Sequence, residues 1–334
     1  MRYENLYPAA TVKTFKELRK WRQERARKMK AKDYSFTIPS VPPDIAYLKG
    51  NFREPSLTWV GHSTFLLQHS GLNIVTDPVW AGQLAMQRRL SPPGIPVEAM
   101  PPVDVVLISH SHYDHLHIGS LRQLSGGKTL IVPAGLADKL RRKGFSSIIE
   151  LNWWEAATIG GVRFTFVPSQ HWTRRTPFDM NRSHWGGYII ESARKMTGLN
   201  GGGAGEREHA QSGERVRPAA GLSPTVYFAG DSGYFDGFRT IGERFAIDLA
   251  LMPIGAYEPE WFMSPQHVTP EEALRAFLET GARWFVPMHY GSFRLADDTP
   301  REALDRLEAG RAKLGLAPER IILLPHGETW RLNG

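Results

Sequence analysis

A buried-strand pattern that runs straight into a cluster of metal-ligand residues constrains this chain more than any other feature. Val103-Asp104-Val105-Val106-Leu107-Ile108 is followed, after Ser109, by His110-Ser111-His112-Tyr113-Asp114-His115. On a helix, residues i and i+2 lie about 200° apart, so His110 and His112 cannot share a helical face. At a strand end they point to the same side, and a turn then brings Asp114 and His115 inward. Four ligand-type residues in six positions, set directly after a strand, point to a metal site rather than to a chance surface cluster.

Three more residues stand in the same context. His171 follows the apolar run 162–167, Asp231 follows 225–230 and His289 follows 284–288. Strand ends gathered at one sheet edge would bring all seven side chains together. Five imidazoles and two carboxylates suit a borderline cation such as Zn²⁺, with iron or manganese as alternatives. The chain has no cysteine, which excludes thiolate ligands and disulfides. A carboxylate bridging two cations about 3.5–4 Å apart offsets their repulsion, and a water between them loses a proton near neutral pH to give a hydroxide nucleophile.

The rest of the chain is read around that site. Strand-like runs fall at 57–60, 64–68, 73–76, 103–108, 129–132, 162–167, 185–190, 225–229, 248–252, 283–286 and 320–324. Helical patterns fall at 120–124, 136–143, 270–279 and 301–313, the third opened by Thr269-Pro270-Glu271-Glu272. Strands interspersed with helices predict two sheets flanked by helices in one α/β domain. Residues 194–224 contain Gly201-Gly202-Gly203 and few apolar side chains, so a disordered insertion between two strands is expected there. The domain reading is 1–56 as a basic helix with a Pro-rich connector, and 57–334 as the catalytic domain.

The formal charge of +7 is concentrated in one segment. Ten Lys or Arg lie between Lys13 and Lys32 against only Glu17 and Glu24, which leaves the remainder near neutral. Residues 12–32 read as a helix, with Val12, Phe15, Leu18, Trp21, Ala26 and Met29 on one broad face. This helix lies on an anionic membrane, grips nucleic acid, or packs Phe15, Leu18 and Trp21 on the body. No early stretch reads as a signal peptide and no apolar run is long enough to span a membrane. A cytoplasmic protein is expected, at most peripheral on the inner membrane surface.

The residue pattern also resembles a known family. His-x-His-x-Asp-His followed at long spacing by His171, Asp231 and His289 is similar to the metallo-β-lactamase superfamily, whose fold is a four-layer αβ/βα sandwich. Trp59-Val60-Gly61-His62-Ser63, Thr76-Asp77-Pro78, the segment 107–116, Pro168-Ser169-Gln170-His171-Trp172 and 228–234 resemble N-acyl-phosphatidylethanolamine-hydrolysing phospholipase D. So does 253–273, from Pro253-Ile254-Gly255-Ala256-Tyr257 through Gln266-His267-Val268. The resemblance covers 57 to about 295, without 194–224, and departs at His117, where the family has an acidic residue. It implies His110, His112 and His171 on one zinc, Asp114, His115 and His289 on a second, and Asp231 bridging. It implies phospholipase D-type hydrolysis of N-acyl-phosphatidylethanolamine or a related phospholipid, with phospholipid as partner and a homodimer as an option.

The same resemblance puts His267 at the active site, as a phosphate contact or as proton donor to the leaving alkoxide, with Tyr257 and Gln266 as pocket candidates. Asp77 either orients a metal-bound imidazole through that ring's free N–H or stabilises the turn before Pro78, and His62 is read in the same way. Arg174 and Arg175 either hold an anionic headgroup or pair with Asp179. His69, His184, His209 and His326 have no supporting context. The competing functions are a hydrolase of a small soluble ester, lactone or cyclic phosphate, a nuclease, and a non-enzymatic zinc-braced membrane tether. Nucleic acid is not the expected partner.

Overall fold

The computed structural model describes residues 2–9, 13–192 and 223–332. Alternating apolar residues build its first strands, β1 (Ser56–Gly61), β2 (Thr64–His69) and β3 (Leu72–Thr76). A short ribbon, β4 (Gln83–Leu84) and β5 (Gln87–Arg88), precedes β6 (Val105–Leu107), β7 (Thr129–Pro133) and β8 (Ile148–Leu151). Then come β9 (Ala156–Ile159), β10 (Val162–Val167), β11 (Gly187–Ser192), β12 (Val226–Phe228), β13 (Leu249–Pro253), β14 (Trp284–Met288) and β15 (Thr329–Arg331). The helices are α1 (Phe15–Lys28), α2 (Ile45–Gly50), α3 (Ile118–Gln123) and α4 (Ala137–Arg141). The second half supplies α5 (Gly237–Arg244), α6 (Glu260–Met263), α7 (Pro270–Thr280) and α8 (Pro300–Lys313).

Seven strands make one sheet, in the order β15-β1-β2-β3-β6-β7-β8, and six make the other, β14-β13-β12-β11-β10-β9. The period of two sorts the side chains. Leu57, Trp59, Phe65 and Leu67 enter the core shared with Phe164, Phe166 and Tyr188 of the second sheet. Val60, Leu66, Val75 and Val106 face the other way, onto Leu48, Leu121 and Leu140 of α2, α3 and α4. Phe238, Ile241, Leu274, Phe277 and Leu307 of α5, α7 and α8 cover the outer face of the second sheet. The result is helix, sheet, sheet, helix, the αβ/βα sandwich expected. In the first sheet β3 and β6 run parallel, and in the second β12, β13 and β14 do, with β10 in the same sense through antiparallel β11. Their C-terminal ends therefore collect at one edge.

Several elements differ from the sequence reading. Residues 320–324 form no strand; Ile321 makes a single bridge to Phe285. Pro318 opens a 3₁₀ turn there, and the Arg320 guanidinium binds the carbonyls of Ala282 and Arg283. β15 was not anticipated because its support is remote: Leu57 pairs with Trp330. Of the expected insertion at 194–224, only Ser223 and Pro224 lie within the described residues. They anchor a return point, with the Pro224 carbonyl accepting from His69 Nε2 at 2.9 Å.

The N-terminal helix is shorter than 12–32. A capping box between Thr14 and Glu17 starts it at Phe15, and a 3₁₀ turn at Met29–Ala31 ends it, while Val12 lies outside the described residues. Its inner face packs on the body. Trp21 stacks on Phe262 at 5.1 Å, its indole N–H donates to Asp297 at 3.0 Å, and Leu18 joins the cluster around Met263 and Ala296. Phe15 does not follow them and is 80% exposed. No helix among the described residues is long and apolar enough to cross a membrane.

Candidate metal centre

Each side chain of the centre is delivered by the end of a strand. His110, His112, Asp114 and His115 occupy the turn after β6, closed by Leu116 N–H donating to the His112 carbonyl at 2.8 Å. His171 follows β10, Asp231 follows β12 and His289 follows β14. His62 lies in the hairpin between β1 and β2, and Asp77 just past β3. His62, Asp77 and His289 all adopt left-handed backbone, with φ of 57°, 31° and 60°. Strain of this kind in non-glycine residues is held only where the surrounding structure over-determines it. Gly61, at φ 128°, is required beside His62, because a Cβ there would stand 2.8 Å from Arg89 Nη2 and 3.1 Å from Ser292 Oγ.

The seven expected ligands converge in two groups that meet at Asp231. In the first, His110 Nε2 lies 2.9 Å from His112 Nδ1, and His171 Nε2 lies 3.2 Å from the same atom. In the second, the Asp114 Oδ2 atom is 3.3 Å from His115 Nε2 and 3.3 Å from His289 Nε2. His62 joins this group, with Nε2 at 3.1 Å from Asp114 Oδ2. Asp231 Oδ2 lies between them, 3.2 Å from His115, 3.1 Å from His289, 3.8 Å from His171 and 3.9 Å from His110.

This arrangement fits metal ions. His110 Nδ1 bonds with Ser109 Oγ at 2.9 Å, and His171 Nδ1 donates to the Gln266 carbonyl at 2.9 Å. Their Nε2 lone pairs are then aimed at one point together with His112 Nδ1. Three converging lone pairs repel unless a cation sits among them. With metal–nitrogen bonds near 2.0–2.1 Å, nitrogens around a tetrahedral ion stand about 3.3 Å apart, close to what is seen. His115 Nε2 and Asp231 Oδ1 are buried without a hydrogen-bond partner. His115 and Asp231 thus approach without hydrogen-bond geometry, as two ligands of one ion do.

The electrostatics agree. Burial, reinforced by neighbouring imidazoles, pushes His112 down to about 3 and His171 to about 4, so both are neutral and able to ligate. Burial disfavours charge on His289 too, but Asp231 and Asp114 outweigh it and push it up to about 9. Burial works against the carboxylates of Asp114 and Asp231, yet His115 and its neighbours hold both well below the usual range. The second group therefore collects positive charge wherever it can, which is the role a divalent cation would take over.

Asp77 is fully buried behind His115. Its Oδ2 accepts from His115 Nδ1 at 2.6 Å and from the Ser109 hydroxyl at 2.5 Å, while Oδ1 accepts from Ser109 N–H at 2.7 Å. Ser109 was missed in the sequence, although its place between the strand and His110 marks it. His267 is buried beside His171 and His289, with Nδ1 at 3.9 Å from Asp231 Oδ2 and no hydrogen-bond partner. Gln266 enters through its backbone carbonyl, which orients His171.

Two expected substrate contacts are placed elsewhere. Tyr257 has no exposed surface to offer a ligand, and its ring lies under the Arg306 guanidinium at 4.7 Å. Arg175 turns Nη1 onto the carbonyls of Ser111 at 2.7 Å and Leu116 at 2.8 Å, bracing the ligand turn, with its guanidinium over the Tyr113 ring. Asp179 pairs with Lys139 at 2.8 Å and takes the backbone N–H of Arg175 and Thr176. His117 caps α3, its Nδ1 accepting from Ser120 N–H at 3.1 Å.

A family model described as the β-lactamase superfamily domain matches residues 72–222 and 199–290. N-acyl-phosphatidylethanolamine-hydrolyzing phospholipase D 1 of Caenorhabditis elegans is 31% identical over 299 residues, covering 83% of this chain and 75% of that protein. The chain belongs to the β-lactamase superfamily, in the family that includes this phospholipase. A metal-dependent hydrolase of Rubrobacter xylanophilus is 28% identical over 276 residues, covering 81% of this chain and 95% of its own length. Among solved structures, a metallo hydrolase from Ignicoccus hospitalis matches with TM-score 0.59 and 24% identity over 84% of this chain and 99% of that one, a likeness of fold. This β-lactamase superfamily member is a metal-dependent hydrolase, and its His/Asp cluster is able to bind metal.

Proposed function

We propose that this hydrolase is a two-zinc phosphodiesterase that cleaves N-acyl-phosphatidylethanolamine or a closely related phospholipid into a phosphatidic acid and an N-acylethanolamine. The observation that carries the reading is the 31% identity, over 83% of the chain, to the nematode enzyme named for that hydrolysis. His110, His112 and His171 would hold one ion, Asp114, His115 and His289 the other, and Asp231 both; iron or manganese are the alternatives to zinc. Ions bound there supply Lewis acidity toward phosphoryl oxygens and activate a water. Asp77 and the Gln266 carbonyl fix the rings of His115 and His171. His267 is held well below the ordinary imidazole range, chiefly by burial, so as a neutral ring it is suited to hydrogen-bond a phosphoryl oxygen rather than to protonate the leaving alkoxide.

The test is a substrate panel run beside metal analysis of the purified chain. N-acyl-phosphatidylethanolamine should be turned over faster than bis-p-nitrophenyl phosphate, a lactone or a precursor tRNA. Turnover of the tRNA alone, or fewer than about one metal per chain, would overturn the reading.

A lipid substrate goes with peripheral contact to an anionic bilayer through α1. Exposed Phe15, Arg19 and Arg22 lie on the part of the helix that the body leaves free. Each basic residue near an anionic surface contributes about 1 kcal/mol. Phe15→Ser with Arg19→Glu and Arg22→Glu should therefore weaken binding to phosphatidylglycerol vesicles by about tenfold or more. Unchanged sedimentation with such vesicles would retire the membrane contact.

A further inference from the structure

A donor fork besides the metal ligands would strengthen the hold on a phosphate ester, and Arg175 has turned its own toward the ligand turn. Arg294 stands five residues beyond His289, on the loop between β14 and α8. Its guanidinium lies over the Tyr34 ring at 3.6 Å and pairs with the Tyr34 phenol, and its Nη2 reaches the Met29 sulfur at 3.5 Å. Its Nε is buried without a hydrogen-bond partner. No carboxylate forms an ion pair with Arg294 among the described residues. A buried guanidinium nitrogen without an acceptor is a destabilising arrangement that an anion would relieve.

The surroundings say where that anion would sit. Arg294 lines a cleft that reaches His289, with Tyr34, Leu90, Phe293 and Leu295 among its walls. Tyr34 comes from the N-terminal segment and is fixed by its hydroxyl donating to the Asp297 carbonyl at 2.9 Å. That segment is itself fastened by Lys32 to Glu258 and Glu302, and by Trp21 to Asp297. Asp298 also lines the cleft, but its carboxylate oxygens accept the backbone N–H groups of Ala256 and Glu258 at 3.0 and 3.3 Å. Burial further pushes Asp298 up to about 6, against the backbone N–H groups that favour its charged form.

We propose that Arg294 is a substrate-binding residue, and that the cleft between the N-terminal segment and the 289–300 loop, about 20 Å³ in volume, takes one oxygen of a phosphate ester whose remaining oxygens stay outside it. The proposal rests on the phosphodiesterase reading and deepens it. The aromatic face of Tyr34 holds the guanidinium plane, and Nε donates to that oxygen. The ester could be a lipid headgroup or a free phosphate, and the chemistry of the contact is the same.

The test uses the full-length, zinc-loaded chain and compares the wild type with Arg294→Gln, Arg294→Lys and Tyr34→Leu. Titration calorimetry with glycerol 3-phosphate and with inorganic phosphate measures binding directly, and kinetics on bis-p-nitrophenyl phosphate measure KM and kcat. Arg294→Gln should weaken glycerol 3-phosphate by about tenfold or more and raise KM more than it lowers kcat. Arg294→Lys should recover part of the affinity, and Tyr34→Leu should lose less than Arg294→Gln. Preference for glycerol 3-phosphate over inorganic phosphate identifies a headgroup site, and equal affinity a free-phosphate site; either upholds the contact. Wild-type affinity and KM in Arg294→Gln, at wild-type zinc content, would overturn it. If no phosphodiester is hydrolysed, the function reading fails, while a binding loss confined to the Arg294 variants still upholds the anion site.

Discussion

Asp231→Asn is expected to leave the fold intact, to empty the centre of most of its metal and to cost the enzyme at least about 10³-fold in kcat/KM. Asp231 Oδ2 lies within 3.2 Å of two imidazole nitrogens and within 3.9 Å of three more, including His267 Nδ1. No other side chain of the centre reaches both ligand groups through a single oxygen. Asparagine keeps the volume and one oxygen but removes the charge. Two divalent ions would then face only Asp114 among the seven expected ligands, and their mutual repulsion would be offset by one carboxylate instead of two. Lewis-acid stabilisation of a phosphoryl transition state contributes several kcal/mol, and each 1.4 kcal/mol is tenfold in rate. Metal content by elemental analysis, circular dichroism and hydrolysis of N-acyl-phosphatidylethanolamine report the three parts separately. A folded variant with full metal content and wild-type turnover would remove Asp231 from the bridging position.

Much of this centre could be read from the sequence because its candidate ligands are tied to strand ends. His110, His171, Asp231 and His289 each close an apolar run, and the parallel sense of β3 with β6 and of β12 with β14 carries those ends to one edge. The start of α7 was legible for a local reason as well, since Thr269 and Glu272 cap each other. What stayed hidden depends on contacts remote in the chain. His62 was legible as a residue of the centre, but not its partner Asp114, which it reaches because the hairpin after Gly61 takes a left-handed turn packed against Arg89, Ser292 and His326. β15 exists because β1 offers it an edge 273 residues away in sequence at the Leu57–Trp330 pair. The long basic side chains were least legible. Arg175 and Arg294 look alike in the sequence, yet one braces the ligand turn and the other faces a cleft at His289. A flexible stem lets tertiary packing decide the destination of the guanidinium.

Asp77→Ala should weaken zinc affinity by about 10- to 100-fold while leaving a centre that excess zinc can refill. Asp77 touches no substrate position. Its two oxygens receive three hydrogen bonds, two from Ser109 and one from His115 Nδ1, and it has no exposed surface. The His115 contact selects the tautomer whose Nε2 lone pair faces Asp114 and Asp231, and prevents the ring from rotating. Without it, His115 must be ordered anew each time an ion binds, and Ser109 loses the acceptor that steadies the ring of His110. Alanine also leaves the Ser109 N–H buried without its partner, so some loss of thermal stability accompanies the change. Asp77→Asn separates the two effects, because its carbonyl can still accept from Ser109 N–H while the amide nitrogen facing His115 Nδ1–H cannot accept. Chelator competition should then give the same affinity loss as in alanine at a smaller cost in stability, and activity measured against zinc concentration should shift rather than collapse. Wild-type zinc affinity in the asparagine variant would show that Asp77 only supports the turn after β3 and does not position His115.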